Sequence, residues 1–305
     1  MTKTNIITID GGEWFHENWD GAAGGLFRIN KKLYSDQSAH QNILVFENDM
    51  FGRMLAIDNV IQVAERDEFI YHEMITHAPI LAHGAAKRIL IVGGGDGGAI
   101  REVFRHNSVE HVTMVEIDPD VVDFCKKWMP MVSDGSFDDP RLNLIIGDGA
   151  KYVAATDDRF DVVIVDSTDP VGPGAVLFTE EFYRNCKRVM KDGAVLVTQS
   201  GLPFVQRKEF TEAFSHLSGI FDYASAYQIV VPGFWGCPML LGFASDEKAR
   251  FSVSHETLRG RLNEAGFSAR YYTPAHHKSA FHLAGYLRDM IPHTEKLIAE
   301  GLLDD

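Results

Sequence analysis

The sequence predicts an α/β fold, a doubly wound parallel sheet with helices on both faces, preceded by a small N-terminal β-meander. Three observations carry this. From Lys87 onward the apolar runs "RILIV", "HVTMVEI", "LNLII", "DVVIVD" and "AVLVTQ" alternate with helical stretches such as "PDVVDFCKKWM" and "TEEFYRNCKRVM". Parallel strands buried on both faces and their crossover helices read this way. Ahead of them, residues 42–63, "NILVFENDMFGRMLAIDNVIQV", alternate apolar and polar positions around the turn-forming "ENDMFG" and "DN", as short antiparallel strands do. Between the two lies "ERDEFIYHEMITHAPILA", where Ile70, Met74 and Ala78 fall four apart and give a connecting helix one apolar stripe. A boundary near residue 66 divides the chain into a strand domain, 1–66, and an α/β domain, 67–305.

Composition narrows the functional classes. A chain of 305 residues, 45% hydrophobic and 24% charged, is long enough for a full core. Its 43 acidic against 29 basic residues leave a formal charge of −14, which disfavours nucleic acid or an anionic membrane as partner and suits a cationic small molecule. No apolar run reaches the roughly 18 residues of a membrane span, and "MTKTNIITIDGG" lacks the basic and apolar regions of a signal peptide, so a soluble cytoplasmic protein is expected. Cys125, Cys186 and Cys237 stand far apart and form no C-x-x-C pair, which indicates packing residues. His72 and His77 are five apart, whereas the helical zinc motif needs a spacing of about four, and no metal is expected.

In a doubly wound fold ligands bind at the carboxyl ends of the strands. Here those ends carry Gly93 to Gly98 with Asp96 among the glycines, Glu116, Asp148-Gly149, and Asp166-Ser167-Thr168-Asp169. One aspartate after a strand is ordinarily a turn or helix-cap residue. Carboxylates at four strand ends on one rim repel one another unless a cation or a hydroxyl-rich ligand sits among them. Gly93-x-Gly95-x-x-Gly98 followed by Glu116 matches the dinucleotide fingerprint, and Glu116 suits the ribose of a nicotinamide cofactor or of an S-adenosyl compound equally well. Asp96 separates the two: beside a pyrophosphate it adds like-charge repulsion. It suits a donor with an amine and no carboxylate at that end, such as decarboxylated S-adenosylmethionine.

With these residues in place the sequence resembles the spermidine synthases, the polyamine aminopropyltransferases. The resemblance covers most of the chain, through "HQNILVFEN", "VIQVAERDEFIYHEM", "ILIVGGGDGG", "MVEID", "GDGAKYV", "DVVIVDSTDPVGPG", "LFTEEFY" and "RYYTPAHH". It implies a Rossmann-like, methyltransferase-type sheet and transfer of an aminopropyl group from decarboxylated S-adenosylmethionine to a diamine, usually putrescine. It also implies roles: Gln41 helps hold the nucleoside, Glu116 the ribose hydroxyls, Asp148 and Gly149 the adenine, with Gly93 and Gly95 in the donor loop and Pro173 closing over the nucleoside. Asp96 binds the donor's amine, Asp166 accepts the proton backed by a tyrosine hydroxyl, Tyr71, and Tyr71, His72 and Gln62 border the amine channel near Asp169. Homodimers or homotetramers are usual in the family.

The chemistry agrees. A sulfonium departs as a neutral thioether, so neither a metal nor a cofactor is required. The obstacle is the acceptor amine, whose pKa near that of lysine, about 10.4, keeps it protonated, and freeing its lone pair near neutral pH costs roughly 4 to 5 kcal/mol. One segment departs from the family pattern: where many members carry Pro-Thr-Tyr before the last strand, this chain has "VVPGFWGCPML", with Gly233 and Phe234 at the corresponding places and Trp235 next. Phe234 or Trp235 can still offer an aromatic face to the amine, and the missing hydroxyl points to putrescine remaining an acceptor with preference broadened or shifted toward a diamine of different length, such as cadaverine or 1,3-diaminopropane. The competing readings are an S-adenosylmethionine-dependent methyltransferase, which Asp96 and the D-S-T-D-P run disfavour, and a non-catalytic polyamine-binding protein, which the presence of Asp166 disfavours.

Overall fold

A computed structural model describes residues 5–19, 21–38, 41–169 and 172–303, and the backbone alone of Pro173. Its centre is a seven-stranded sheet in the order β10-β9-β8-β11-β12-β14-β13. The strands are β8 (Arg88–Gly93), β9 (His111–Glu116), β10 (Leu142–Ile146), β11 (Phe160–Asp166), β12 (Met190–Gln199), β13 (Tyr223–Val230) and β14 (Pro238–Ser245). The first five run parallel, and β14 pairs antiparallel with both β12 and β13. The expectation of a parallel sheet is thus corrected at one edge, where the β13–β14 hairpin needs no crossover helix. Strand β12 also begins at Met190, within the run "TEEFYRNCKRVM" read as helical, because the helix there stops at Arg188.

The continuous apolar character of the strands follows from burial on both faces. Ile89 and Ile91 of β8 enter a core with helices α1 (Glu68–His83) and α2 (Gly98–Phe104). Leu90 and Val92 point to the opposite core, under α5 (Gly149–Ala155), α6 (Glu180–Arg188) and α7 (Arg207–Ile220). Each strand residue therefore has an apolar neighbour whichever way it faces.

The N-terminal region holds two antiparallel sheets. Strands β1 (Ile6–Ile9), β2 (Gly12–Trp19) and β3 (Ala23–Arg28) form one; β4 (Lys31–Gln37), β5 (Asn42–Asn48), β6 (Gly52–Ile57) and β7 (Val60–Ala64) form the other. The sequence showed only the last three. In β5, Leu44 and Phe46 pack with Phe15 and Phe27 of the first sheet. Ile43 and Val45, on the other face, meet Phe124 and Cys125 of α3 (Pro119–Trp128) and Val132 of the single-turn α4 (Pro130–Ser133). The meander is an inner layer, which is why "ILVF" is an unbroken apolar run.

Helix α1 departs further from expectation. Fourteen of its sixteen residues are buried, Glu73, His72 and His77 among them, because it is enclosed by α2, α8 (His255–Ala265), β11, β12 and β13. Its buried ionisable side chains Glu68, His72, Glu73 and His77 have built-in partners, as burial demands. The Glu73 carboxylate accepts three backbone N–H groups, from Arg270 at 2.8 Å, Tyr271 at 2.7 Å and Tyr272 at 2.8 Å, and so fastens the segment before α9 (Pro274–Ala280) onto α1. Cys125 and Cys186 are buried and Cys237 half-buried, all three as free thiols. Among the described residues no helix is long and apolar enough to cross a membrane. Glu73→Ala, which strands three buried donors, is expected to lower unfolding stability by about 3 kcal/mol or more and to expose the 270–272 segment, read out by urea denaturation and amide hydrogen exchange.

Candidate active site

Strand β8 lies where the sheet changes winding direction, with β9 and β10 on one side and β11 and β12 on the other. At the carboxyl ends of these strands opens a cavity of about 540 Å³, the size of a small-molecule site at a topological switch point. Its floor is the glycine loop. Gly93 has φ +87°, and a Cβ there would sit 2.1 Å from the Asp166 carbonyl oxygen, so only glycine permits the close approach in which Gly94 N–H donates to that oxygen at 2.8 Å. The loop after β8 is thereby tied to the end of β11.

Asp96 stands on this loop, its Oδ1 accepting the Gly98 N–H at 2.7 Å. Beside it lies His72, 1% exposed, with Nε2 3.4 Å from Asp96 Oδ1 and Nδ1 2.6 Å from Glu68 Oε2. Glu68 in turn receives a two-pronged contact from Arg101, both bonds 2.9 Å. Gly98 makes room for this ring, since a Cβ there would fall 2.3 Å from His72 Cε1. Burial alone would lower the His72 pKa; Asp96 and Glu68 outweigh it and raise the imidazole to about 10. For Asp96 burial is likewise outweighed, by the His72 imidazolium and the Gly98 N–H, and its pKa lies below the ordinary value. Asp96 is a fixed anion, and His72 lines the cavity while its ring nitrogens serve two carboxylates.

Asp166 has the opposite character. Burial and the neighbouring Asp96 charge push it up to about 6 against the opposing pull of His72 and Tyr71. Tyr71 donates its hydroxyl to Asp166 Oδ1 at 2.6 Å, and burial with the same carboxylate holds that phenol protonated. Asp166 Oδ2 is buried and has no hydrogen-bond partner among the described residues. Asp169 accepts from Gln199 at 3.2 Å, and burial raises its pKa.

Toward the β9 side, Glu116 is buried, accepts the Asp118 N–H at 2.9 Å, and is pushed up to about 7 chiefly by burial. Asp118, fully buried, was missed in the sequence. It caps α3 by accepting the Asp120 N–H, and also accepts Ser38 Oγ at 2.6 Å and Gln41 Nε2 at 3.4 Å. Gln41 lines the cavity with its amide directed to that carboxylate. Asp148 caps α5, accepting the Lys151 N–H at 3.1 Å, and with Gly149 and Gly95 completes this wall. Asp148 is thus both a helix cap and a wall residue of the cavity. Pro173's side chain lies outside what the structure describes.

The opposite end is built from both parts of the chain. Gln62 lines it and donates to the Val60 carbonyl at 3.4 Å. Phe234 faces the cavity and also packs against the core between the N-terminal sheets. Sequence reasoning missed Glu17, a carboxylate 3% exposed that accepts Trp235 Nε1 at 3.1 Å. Burial pushes it up to about 7. The signal was present: in "WFHENW" Glu17 shares a strand face with Phe15 and Trp19, an acid in an apolar row. Trp19 lines the cavity, whereas Trp14 is a half-buried β2 residue paired across to Arg28. Among the described residues no cluster of three or more His, Cys, Asp or Glu is arranged to hold a metal ion.

The His72 pKa carries a stability consequence. Raised in the folded protein above about 6.5 for a free imidazole, it contributes stability that is full below that pH and is lost as pH rises toward about 10. The stability difference between the native protein and His72→Gln is therefore expected to be on the order of a few kcal/mol near pH 6 and to shrink steadily toward pH 10, as urea unfolding across that range will measure.

Comparison with known proteins gives a consistent assignment. Residues 68–254 match the family described as "Spermine/spermidine synthase domain", and residues 13–65 match "Spermidine synthase tetramerisation domain". A polyamine aminopropyltransferase of Ruegeria sp. (strain TM1040) is 52% identical over 87% of this chain and 93% of its own. Polyamine aminopropyltransferase 1 of Pseudomonas aeruginosa is 50% identical over 88% and 94%. Among solved structures, a spermidine synthase in complex with the transition-state analogue AdoDATO superposes with a TM-score of 0.86 at 34% identity, covering 91% of this chain and 94% of that one. The spermidine synthase of Thermotoga maritima gives 0.84 at 32%, over 91% and 93%. With its fold, its rim of carboxylates and likeness over nearly its whole length, this chain belongs to the spermine/spermidine synthase family, the polyamine aminopropyltransferases.

Proposed function

We propose that the enzyme moves the aminopropyl group of decarboxylated S-adenosylmethionine to a diamine, putrescine first, giving spermidine and methylthioadenosine. The observation that carries this reading is Asp166: one oxygen is held by Tyr71, the other is buried without a partner among the described residues, and Asp96 lines the same cavity. A buried unpaired acceptor oxygen beside a second carboxylate suits a protonated amine on each. In this reading Asp96 receives the donor's amine, while Glu116, Asp148, Gly149 and Gln41 hold the nucleoside. Asp166 with Tyr71 takes the acceptor's proton, and Asp169, Gln62, Phe234, Trp235 and Glu17 line the acceptor's path, with the Glu17 carboxylate facing its far ammonium.

The acceptor's ammonium first gives one proton to Asp166; the freed nitrogen lone pair attacks the carbon bonded to the sulfonium, the carbon–sulfur bond breaks with its electron pair going to sulfur, and the product nitrogen leaves as a secondary ammonium. The raised Asp166 pKa brings it closer to that of the amine and eases this transfer. Positioning by the flanking carboxylates supplies the rest, and no cofactor enters. A methyltransferase acting on intact S-adenosylmethionine would bring the donor carboxylate near Asp96, a like-charge contact. Residues 13–65 match a domain described by tetramerisation, which supports a homotetramer or homodimer. Three free thiols suit a reducing cytoplasmic setting.

Mass spectrometry after incubation with each donor and with putrescine, cadaverine and 1,3-diaminopropane should show triamine and methylthioadenosine from the decarboxylated donor alone; methylated amine from intact S-adenosylmethionine would reverse the reading. Asp166→Asn should lower turnover about a hundredfold or more, with methylthioadenosine affinity retained. Asp96→Asn should weaken donor binding by about 1.5 to 3 kcal/mol. Light scattering should report a dimer or tetramer at working concentration, and a monomer would exclude that assembly.

A further inference from the structure

The loop between β13 and β14 carries an unusual residue. Trp235 has φ +63°, in the left-handed region that a bulky side chain rarely occupies. Such a conformation persists only where the surroundings over-determine it. Here they do: the indole N–H donates to the buried Glu17 carboxylate at 3.1 Å, and the ring meets Trp19 edge-on, centroids 5.9 Å apart at 85°. On its other side the ring lies over Gly25, where an added Cβ would come within 3.3 Å of Nε1. The loop itself is anchored two residues earlier by Gly233 N–H donating to Asp67 Oδ2 at 2.6 Å. Glu17, Trp19 and Trp235 all line the cavity, and together they close its end by joining the N-terminal sheet to the C-terminal hairpin.

We propose that Trp235 is the residue that sets the length of amine this enzyme accepts, by closing the acceptor end of the cavity with its ring and fixing Glu17 through its N–H. This rests on the functional reading above. An amine longer than the space between Asp166 and this wall has to displace an indole held by a hydrogen bond to Glu17, an edge-on ring contact and a constrained backbone, whereas a shorter one leaves the wall untouched. Nothing in the transfer step itself calls on Trp235, so its influence falls on acceptor binding and choice.

Two variants separate ring from N–H. Trp235→Gly removes the ring and accepts the positive φ, so the exchange adds no backbone strain. Trp235→Phe retains an aromatic face and removes the donor. Steady-state kinetics with putrescine and cadaverine, at saturating decarboxylated S-adenosylmethionine, should show the cadaverine-to-putrescine ratio of kcat/KM rising at least about tenfold in Trp235→Gly. In Trp235→Phe the diamine KM should rise by a factor on the order of ten, with a smaller change in kcat. Methylthioadenosine affinity, read by calorimetry, should stay within about twofold of the native protein in both, since the wall is remote from the nucleoside residues. An unchanged cadaverine-to-putrescine ratio in Trp235→Gly overturns the proposal, as does a parallel loss of methylthioadenosine affinity, which would mark a structural role. Failure of the underlying reading has a different signature: the native protein itself would form no triamine from any diamine.

Discussion

The contact on which the site depends is the backbone hydrogen bond from Gly94 to the Asp166 carbonyl, 2.8 Å long. It joins the glycine loop to the end of β11 across the point where the sheet reverses its winding. The backbones that carry two carboxylates, Asp96 on the loop and Asp166 on the strand, are thereby tied together at one cavity. Sites placed on rigid elements hold their geometry better than those on free loops. Repulsion between the two acids is the cost of that arrangement, and the surrounding residues are arranged to divide it unequally.

The division runs through His72. Its imidazolium favours ionised Asp96 more than Asp166, and Tyr71 supports Asp166 with one neutral hydrogen bond. One acid becomes a permanent anion and the other a group that titrates within reach of neutrality. A pair of like groups with separated pKa values is the usual sign of separated tasks. Continuity through Glu68 to Arg101 explains why a cation can be retained at a buried position: each charge in the row Asp96, His72, Glu68, Arg101 has an opposite neighbour.

The sheet and the carboxylate rim were legible in the sequence because they follow from short-range rules: unbroken apolar strands, and polar residues immediately after them. What escaped depends on contacts across the chain. Strands β1 to β4 escaped because they bury little and alternate only weakly, Phe15, Glu17 and Phe27 being their buried residues. The all-round burial of α1 was hidden because its polar residues are satisfied by segments distant in sequence, as Glu73 is by residues 270–272. Asp118 reads as a plain helix cap, and only the fold brings Ser38 and Gln41 to it. Glu17 needed a partner, Trp235, more than two hundred residues away.

The cavity has walls from both parts of the chain, Glu17, Trp19 and Gln62 from the N-terminal sheets and the strand ends of β8, β9 and β11 from the central one. A molecule filling it touches both at once, and binding energy made to the folded form alone adds to folding stability in proportion to RT ln(1 + [L]/Kd). The resistance of the N-terminal sheets to unfolding is therefore tied to the supply of donor and amine, so that a cell depleted of either would hold this protein in its least protected form.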